Sequence, residues 1–172
     1  FGGIPVLYVL LTDSISFDYL GFQFPEGEIV WHLLAFLFML CVVPLSYIQA
    51  KNLASQKDFP QIRETRWDSK LILINSISWM LYLVGYEILF RGLLVFPMLE
   101  LFSVKMALAI NLIIYSLSHV AKNFKEGIGT IPIGLILFLI AWKTNSILYP
   151  VIIHWIMALS NSLFSKLKTE KT

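Results

Sequence analysis

Charged residues are scarce in this sequence, and long stretches contain none. Asp, Glu, Lys and Arg make up 14% of the 172 residues, whereas 58% are hydrophobic, and the mean hydropathy is +0.76. Soluble domains are about 25% charged and about 45–50% apolar, and a soluble fold of this size still exposes much of its surface. The composition therefore excludes a soluble globular domain and predicts an integral membrane protein in contact with the lipid bilayer.

Cysteine pairs, basic clusters and a starting methionine are also missing. Cys41 is alone, which excludes an internal disulfide and a cysteine-rich zinc site. The net charge is only +2 and the lysines are spread over segment ends, so no nucleic-acid partner is expected. The sequence starts at Phe1 without a charged segment ahead of an apolar one, and we expect that the natural N-terminus lies before Phe1.

Uncharged runs alternate with polar segments and predict an all-α fold, a polytopic bundle of transmembrane helices. Residues 29–50 carry no formal charge over 22 residues, enough to cross the bilayer. The runs 106–121 and 127–142 have 16 uncharged residues each, about 24 Å of helix, so flanking lysines would have to snorkel. We expect, in order, a partial N-terminal helix and extracytoplasmic loop over 1–28, a transmembrane helix over 29–50, a cytoplasmic linker over 51–70, a core domain of about four helices over 71–165 and a cytoplasmic tail over 166–172.

The distribution of positive charge predicts the orientation of these segments. Five crossings place ten Lys and Arg residues on the side of the linker 51–70, against Lys105 and Lys143 on the other side. Because Lys and Arg are concentrated in cytoplasmic loops, we expect the linker and the C-terminus in the cytoplasm and the acidic loop 13–28 outside. The expected location is a bacterial plasma (inner) membrane.

A carboxylate and a guanidinium interrupt the apolar run 71–99. This run is long for one crossing and is expected to tilt, or to break near Gly85 or Pro97. Glu87 and Arg91 are four residues apart, so a helix places both side chains on one face. Ionisable groups inside a membrane segment are costly and mark a functional site. The alternative is a structural ion pair that joins helices and does no chemistry.

Further polar residues lie in the later apolar segments and predict an enclosed polar cavity. Tyr115 and His119 are four residues apart, and His154 and Asn161 are seven apart, so each pair shares a helix face. Lipid would penalise these groups, and we expect them to turn inward together. Residues expected only to pack or to hydrogen-bond between helices are His32, Asn75, Ser76 and Ser78.

One carboxylate and two imidazoles in such a cavity allow two kinds of chemistry. Glu87, His119 and His154 can bind a divalent metal such as zinc, with one position open for water. Alternatively, the carboxylate and an imidazole act as general base and acid on a water or a peptide bond without a metal. The spacing of the three residues does not decide between them.

These residues resemble the motifs of the CPBP (Abi) family of intramembrane proteases, which includes the CAAX prenyl endopeptidases and the bacteriocin self-immunity proteins. Residues 86–92 match the family's E-E-x-x-F-R-G motif from its second Glu onward, with tyrosine in place of the first. Residues 115–119 match F-x-x-x-H with tyrosine in place of Phe. His154 begins the third motif, H-x-x-x-N/D, in which Ala158 stands at the Asn position and Asn161 lies one turn further on.

The resemblance implies an intramembrane endopeptidase that acts on a peptide or protein substrate at the membrane. In that family, glutamate and histidine side chains activate a water against a peptide bond, with or without a metal. The resemblance implies catalytic roles for Glu87, His119 and His154. It implies supporting roles for Tyr86, Arg91, Asn161 and Glu126.

Tyr86 is the departure that matters most, because it stands where the family's usual base stands. A tyrosine, with a pKa of about 10, is not a ready base at pH 7. Two replacements are expected: Glu87 after a small helix rotation, or Glu126 reaching back into the mouth of the cavity. The alternative functions are a peptide-binding immunity or scaffold protein that keeps the fold without activity, and a small carrier or channel, for which no internal repeat is found.

Overall fold

The computed structural model of the protein describes residues 16–51, 60–64, 66–120 and 124–169, together with Leu7 and Leu11. Within these residues every regular element is helical and no strand occurs. The predicted all-α class is therefore confirmed. The elements are α1 (Ile29–Gln49), α2 (Ser69–Glu87), a π-helical turn (Ile88–Leu93), α3 (Val95–Leu101), α4 (Val104–Val120), α5 (Phe124–Thr144) and α6 (Leu148–Thr169).

Four helical segments of the described chain are long and apolar enough to cross a bilayer: Ile29–Gln49, Ser69–Leu101, Gly127–Thr144 and Leu148–Leu167. The helix α4 is apolar too, but it has only 17 residues. That is about 26 Å of helix, against a hydrocarbon core of about 30 Å. The chain is an integral membrane protein, and its fold is the predicted polytopic helical bundle.

The start of α2 is fixed by a capping side chain. Asp68 accepts a hydrogen bond from the Leu71 amide at 2.8 Å, which satisfies one of the N–H groups that a helix leaves unpaired in its first turn. The helix continues to Glu87, where the backbone widens into the π-helical turn before α3 begins. The interruption therefore lies between the two expected positions, Gly85 and Pro97, and π-helical turns are frequent at functional sites.

The helix α6 lies at the centre of the bundle. It packs against α1, α2 and α5, while α4 packs along α5. The core shared by α1, α5 and α6 contains these buried apolar side chains: Ala35, Val42, Leu137, Ile140 and Ile153. The opposite face of α1 exposes Leu33, Phe36 and Leu37, as expected of a helix that is apolar all round and faces lipid.

The loop 16–28 is fastened to the turn between α5 and α6. The Glu26 amide donates to the Thr144 carbonyl at 2.8 Å. Gly27 has a φ of +101°, and a Cβ at this position would lie 2.4 Å from the Lys143 carbonyl oxygen, so glycine is required here. Because this loop precedes α1 and the linker follows it, the loop covers the end of the bundle opposite the linker.

Candidate functional site

The helices α2, α4 and α6 enclose a cavity of about 560 Å³, a volume typical of ligand-binding sites. The cavity reaches the surface beside the linker, because the exposed Gln61 and the half-buried Ile62 form part of its wall. The polar side chains in the wall, besides Gln61 and the half-buried Trp79, are Asn75, Ser78, Tyr82, Tyr86, His119 and His154. Both motif histidines therefore meet in one cavity.

Glu87 and Arg91 lie behind this wall and are not part of it. Both side chains are 0% exposed, and Arg91 Nη1 lies 3.3 Å from Glu87 Oε1 and 3.2 Å from Oε2. The guanidinium also sits over the Tyr115 ring, with Cζ 4.6 Å from the ring centroid. Arg91 Nε and Nη2 have no hydrogen-bond partner in the described part of the chain. The Glu87 carboxylate and the aromatic face therefore compensate this buried charge.

Hydrogen bonds connect the buried carboxylate to α4 through His154. His154 Nδ1 donates to Glu87 Oε1, and His154 Nε2 lies 3.0 Å from the Tyr115 hydroxyl. With the Nδ1 proton directed at the carboxylate, the neutral imidazole accepts the Tyr115 proton at Nε2. Glu87 therefore fixes the orientation of this imidazole, and residues of α2, α4 and α6 meet at the ring.

His119 is oriented by its own helix. Its Nδ1 lies 3.0 Å from the Tyr115 carbonyl oxygen, and because a carbonyl only accepts, Nδ1 carries the proton of the neutral ring. Nε2 is then the basic nitrogen. The imidazole packs on the Tyr115 ring, with centroids 4.8 Å apart, so it is held against the cavity wall.

Tyr86 contacts both imidazoles. Its ring centroid lies 6.1 Å from that of His119 and 5.9 Å from that of His154, edge to face in both pairs. Its hydroxyl lies 3.2 Å from Ser118 Oγ, which donates to the Tyr115 carbonyl at 2.7 Å, so Tyr86 is the donor of the first bond. An aromatic ring thus occupies the position of the first motif carboxylate, and no carboxylate of the described residues lines the cavity.

The other predicted site residues lie elsewhere. Asn161 is buried but is not in the cavity wall, whereas Ala158, at the motif's Asn position, is. Glu126 belongs to α5, but its side chain lies outside the described part of the structure, and its supporting role stays a prediction. His32 packs between α1 and α6, with Nδ1 2.8 Å from the Tyr149 hydroxyl.

Asn75 is one of the wall residues that the sequence reasoning did not assign to the site. We expected an ordinary hydrogen-bonding group between helices, yet among the described residues its Nδ2 has no partner. A hydrogen bond between α2 and α6 at this level comes from Trp155 Nε1, which donates to the Ser76 carbonyl at 3.0 Å. The available signal was its place in an apolar run, seven and eleven residues before Tyr82 and Tyr86, on their helix face.

The predicted metal set of Glu87, His119 and His154 does not assemble. No group of three His, Cys, Asp or Glu side chains positioned to hold a metal occurs in the described ranges. Both nitrogens of His154 are engaged, one by Glu87 and one by Tyr115, and a ligating imidazole needs one of them for the ion. The residues present therefore do not fit a metal in this arrangement, and no step below runs through one.

Comparison with known proteins adds one finding. A family model described as Rce1-like, type II CAAX prenyl endopeptidase, matches residues 68–160. The matched range is more than half of the chain and contains the whole of α2 and α4 and most of α6. No curated protein and no solved structure matches the chain.

Proposed function

Because the chain belongs to the Rce1-like family of type II CAAX prenyl endopeptidases, we propose that it is an intramembrane endopeptidase that hydrolyses a peptide bond in its cavity. The observation that carries the proposal is the meeting of His119 and His154, from α4 and α6, in one cavity and against one ring, that of Tyr86. An enclosed site strengthens electrostatic interactions with a reacting group. The substrate is a peptide or protein segment in or at the membrane.

In the proposed reaction His119 is the general base. Its Nε2 takes a proton from a water molecule while the water oxygen bonds to the peptide carbonyl carbon. The C–N bond then breaks as the leaving nitrogen takes that proton from the imidazolium. The Tyr115 carbonyl, which accepts the Nδ1 proton at 3.0 Å, stabilises the positive ring. A histidine thereby performs the task of the carboxylate that Tyr86 replaces.

His154 is the second catalytic residue of the proposal. It lies in the cavity wall with the Glu87 carboxylate behind it, and that carboxylate stabilises positive charge on the imidazole. The ring is neutral in the structure; in the proposed reaction Nε2 takes up a proton from solvent, and the Tyr115 hydroxyl, 3.0 Å away, turns to accept that N–H. The ring, then positively charged, favours the oxyanion that forms on the substrate carbonyl. Glu87 and Arg91 are then positioning residues, because both are fully buried behind the wall.

The proposal is tested with the purified protein in lipid nanodiscs and a pool of internally quenched, randomised dodecapeptides. General acid–base residues contribute roughly 100- to 10,000-fold, so His119→Ala and His154→Ala are each expected to lower cleavage at least about 100-fold. His32→Ala is the matched control, because His32 contacts Tyr149 outside the cavity, and it should cleave like the wild type. Equal cleavage by His119→Ala and His32→Ala would remove His119 from the mechanism.

A second function, favoured by Tyr86 and Ala158, is a peptide-binding immunity or scaffold protein without activity. The Tyr86 ring lies edge to face against both imidazoles at the position of the first motif carboxylate, and Ala158 brings only a methyl group to the wall. The variant Tyr86→Glu separates the two functions. Cleavage that appears only in this variant supports the inactive protein, and cleavage by the wild type supports the enzyme.

We further propose that the chain lies in a bacterial plasma (inner) membrane with the linker side and the C-terminus in the cytoplasm, and the distribution of positive charge supports this orientation. Cys41 is the single cysteine, so a Cys41→Ser background allows labelling at one chosen position. A membrane-impermeant maleimide added to intact cells should label Glu28→Cys and should label Lys51→Cys only after lysis. The reverse pattern would overturn the orientation.

A further inference from the structure

The cavity extends far along α2, from the histidines to Asn75. Asn75 precedes Tyr86 by eleven residues on one continuous helix, which corresponds to about 16 Å along the helix axis. Ser78 and Tyr82 lie between them on the same helix face, and all four residues line the cavity. Gln61, from the linker, lines it as well. The cavity is therefore elongated from the linker to the imidazoles, and it is also open along α2, where Ser78 and Tyr82 are exposed.

The Asn75 amide is a buried donor without a partner. The side chain is 3% exposed, and Nδ2 makes no hydrogen bond to any of the described residues. An unpaired buried N–H carries a desolvation cost that a ligand oxygen would remove. Its backbone is held firmly, because the adjacent Ser76 carbonyl accepts the bond from Trp155 at 3.0 Å. The unpaired donor thus belongs to a side chain of the cavity wall.

We infer that Asn75 is a substrate-binding residue whose Nδ2 donates to a backbone carbonyl oxygen of an extended peptide, about five residues from the scissile bond. The inference rests on the proposed endopeptidase function. An extended chain advances about 3.3 Å per residue, so five residues cover the roughly 16 Å between the levels of Asn75 and Tyr86. Every peptide has a carbonyl at such a spacing. The contact therefore selects length and extended conformation, and it does not select a particular side chain.

The geometry also gives the direction of entry. The exposed Gln61 and the half-buried Ile62 lie in the wall beside the linker, while the opposite end of the bundle is covered by the loop 16–28. A peptide that enters from the linker side passes Asn75 and reaches His119 and His154 with its scissile bond. The scissile bond lies at the deep end of the cavity.

The inference is tested with peptides in which one carbonyl at a time is replaced by a methylene. The parent is a dodecapeptide from the quenched pool, with its cleavage position determined by mass spectrometry. For the wild type we expect that replacement of one particular carbonyl lowers kcat/KM about tenfold. This carbonyl should lie about four to six residues from the scissile bond, in the part of the peptide nearer the linker. The loss should appear in KM with kcat unchanged, as for a contact made equally in the ground and transition states.

Two variants complete the scan. Asn75→Leu keeps the side-chain volume without the donor, and it should show the higher KM with the parent peptide and no further loss at that carbonyl. Ser76→Ala, at the neighbouring position with its side chain outside the cavity wall, is the matched control. It should show the same loss of kcat/KM at that carbonyl as the wild type. If no carbonyl about four to six residues from the scissile bond affects kcat/KM of the wild type, the inference is overturned. That result is independent of whether Asn75→Leu folds.

Binding without cleavage separates this inference from the proposed function. A fluorescein-labelled, capped dodecapeptide of alanines is titrated against His119→Ala in nanodiscs and followed by fluorescence anisotropy. Adding Asn75→Leu should raise Kd about tenfold. If this holds while the wild type cleaves no peptide, the Asn75 site stands and the endopeptidase proposal fails. If cleavage depends on both histidines while Kd is unchanged by Asn75→Leu, the site fails and the endopeptidase proposal stands.

Discussion

Replacement of Glu87 by glutamine is expected to destabilise the protein strongly, because it leaves the Arg91 charge buried and uncompensated. Arg91 is 0% exposed, and its Nη1 lies within 3.3 Å of both carboxylate oxygens. In the described structure its Nε and Nη2 have no other hydrogen-bond partner. Removal of one member of a buried ion pair costs about 3–5 kcal/mol. We expect Glu87→Gln to lower the free energy of unfolding by this amount.

Replacement of the partner, Arg91, by methionine is expected to lower the free energy of unfolding by less. In Arg91→Met the Glu87 carboxylate still accepts the bond from His154 Nδ1, so the loss should lie near the lower limit, about 3 kcal/mol. The double variant Glu87→Gln/Arg91→Met contains no buried charge, and isosteric replacement of a whole buried pair is often neutral. It should therefore be more stable than Glu87→Gln alone.

The assay is equilibrium unfolding in mixed micelles, followed by tryptophan fluorescence during titration with a denaturing detergent. The wild type, both single variants and the double variant form a complete double-mutant cycle. The expected order of stability is wild type, double variant, Arg91→Met and Glu87→Gln. A double variant that loses the sum of the two single losses would show that the two side chains do not interact, and would refute the reasoning.

Three further changes test other parts of the structure. Tyr115→Phe removes the hydroxyl that lies 3.0 Å from His154 Nε2, so kcat for the quenched dodecapeptide should fall roughly tenfold with KM unchanged; an unchanged kcat would contradict a role for this bond. Gly27→Ala puts a Cβ 2.4 Å from the Lys143 carbonyl at a φ of +101° and should cost about 1–3 kcal/mol in the same unfolding titration, while Gly129→Ala, with nothing within 4 Å of its Cβ, should cost nothing. A zinc chelator should leave the cleavage rate unchanged, because no three metal-binding side chains meet in the described ranges; a loss that added zinc reverses would restore the metal hypothesis.

The fold class and the two histidines could be predicted from the sequence for physical reasons. A chain that is 58% hydrophobic and 14% charged is stable in the lipid bilayer. There the backbone N–H and C=O groups must pair with one another, as they do in helices. Lipid also excludes imidazoles, so His119 and His154 had to turn into the bundle. These two inferences depend on local composition and on helix periodicity, which the sequence contains in full.

The role of Glu87 could not be predicted in the same way. Its spacing to Arg91 fits a base in the cavity and an ion pair behind the wall equally well, because both place the two side chains on one helix face. The outcome depends on the π-helical turn that follows Glu87 and on the packing of α6, which brings His154 to the carboxylate across 67 positions. Whether the Asn75 amide finds a partner likewise depends on the side chains that α6 brings to that level, and the sequence alone does not show which these are.

Cysteine cross-linking between the two histidine positions tests most directly whether α4 and α6 bring both imidazoles to one cavity. In a Cys41→Ser background, His119→Cys/His154→Cys should be joined by a short bismaleimide, because both native rings lie within 6.1 Å of the Tyr86 ring. Addition of the dodecapeptide should slow the reaction, since the peptide occupies the same space. The control pair His119→Cys/His32→Cys should not react. A control pair that cross-links while the cavity pair does not would contradict the shared site.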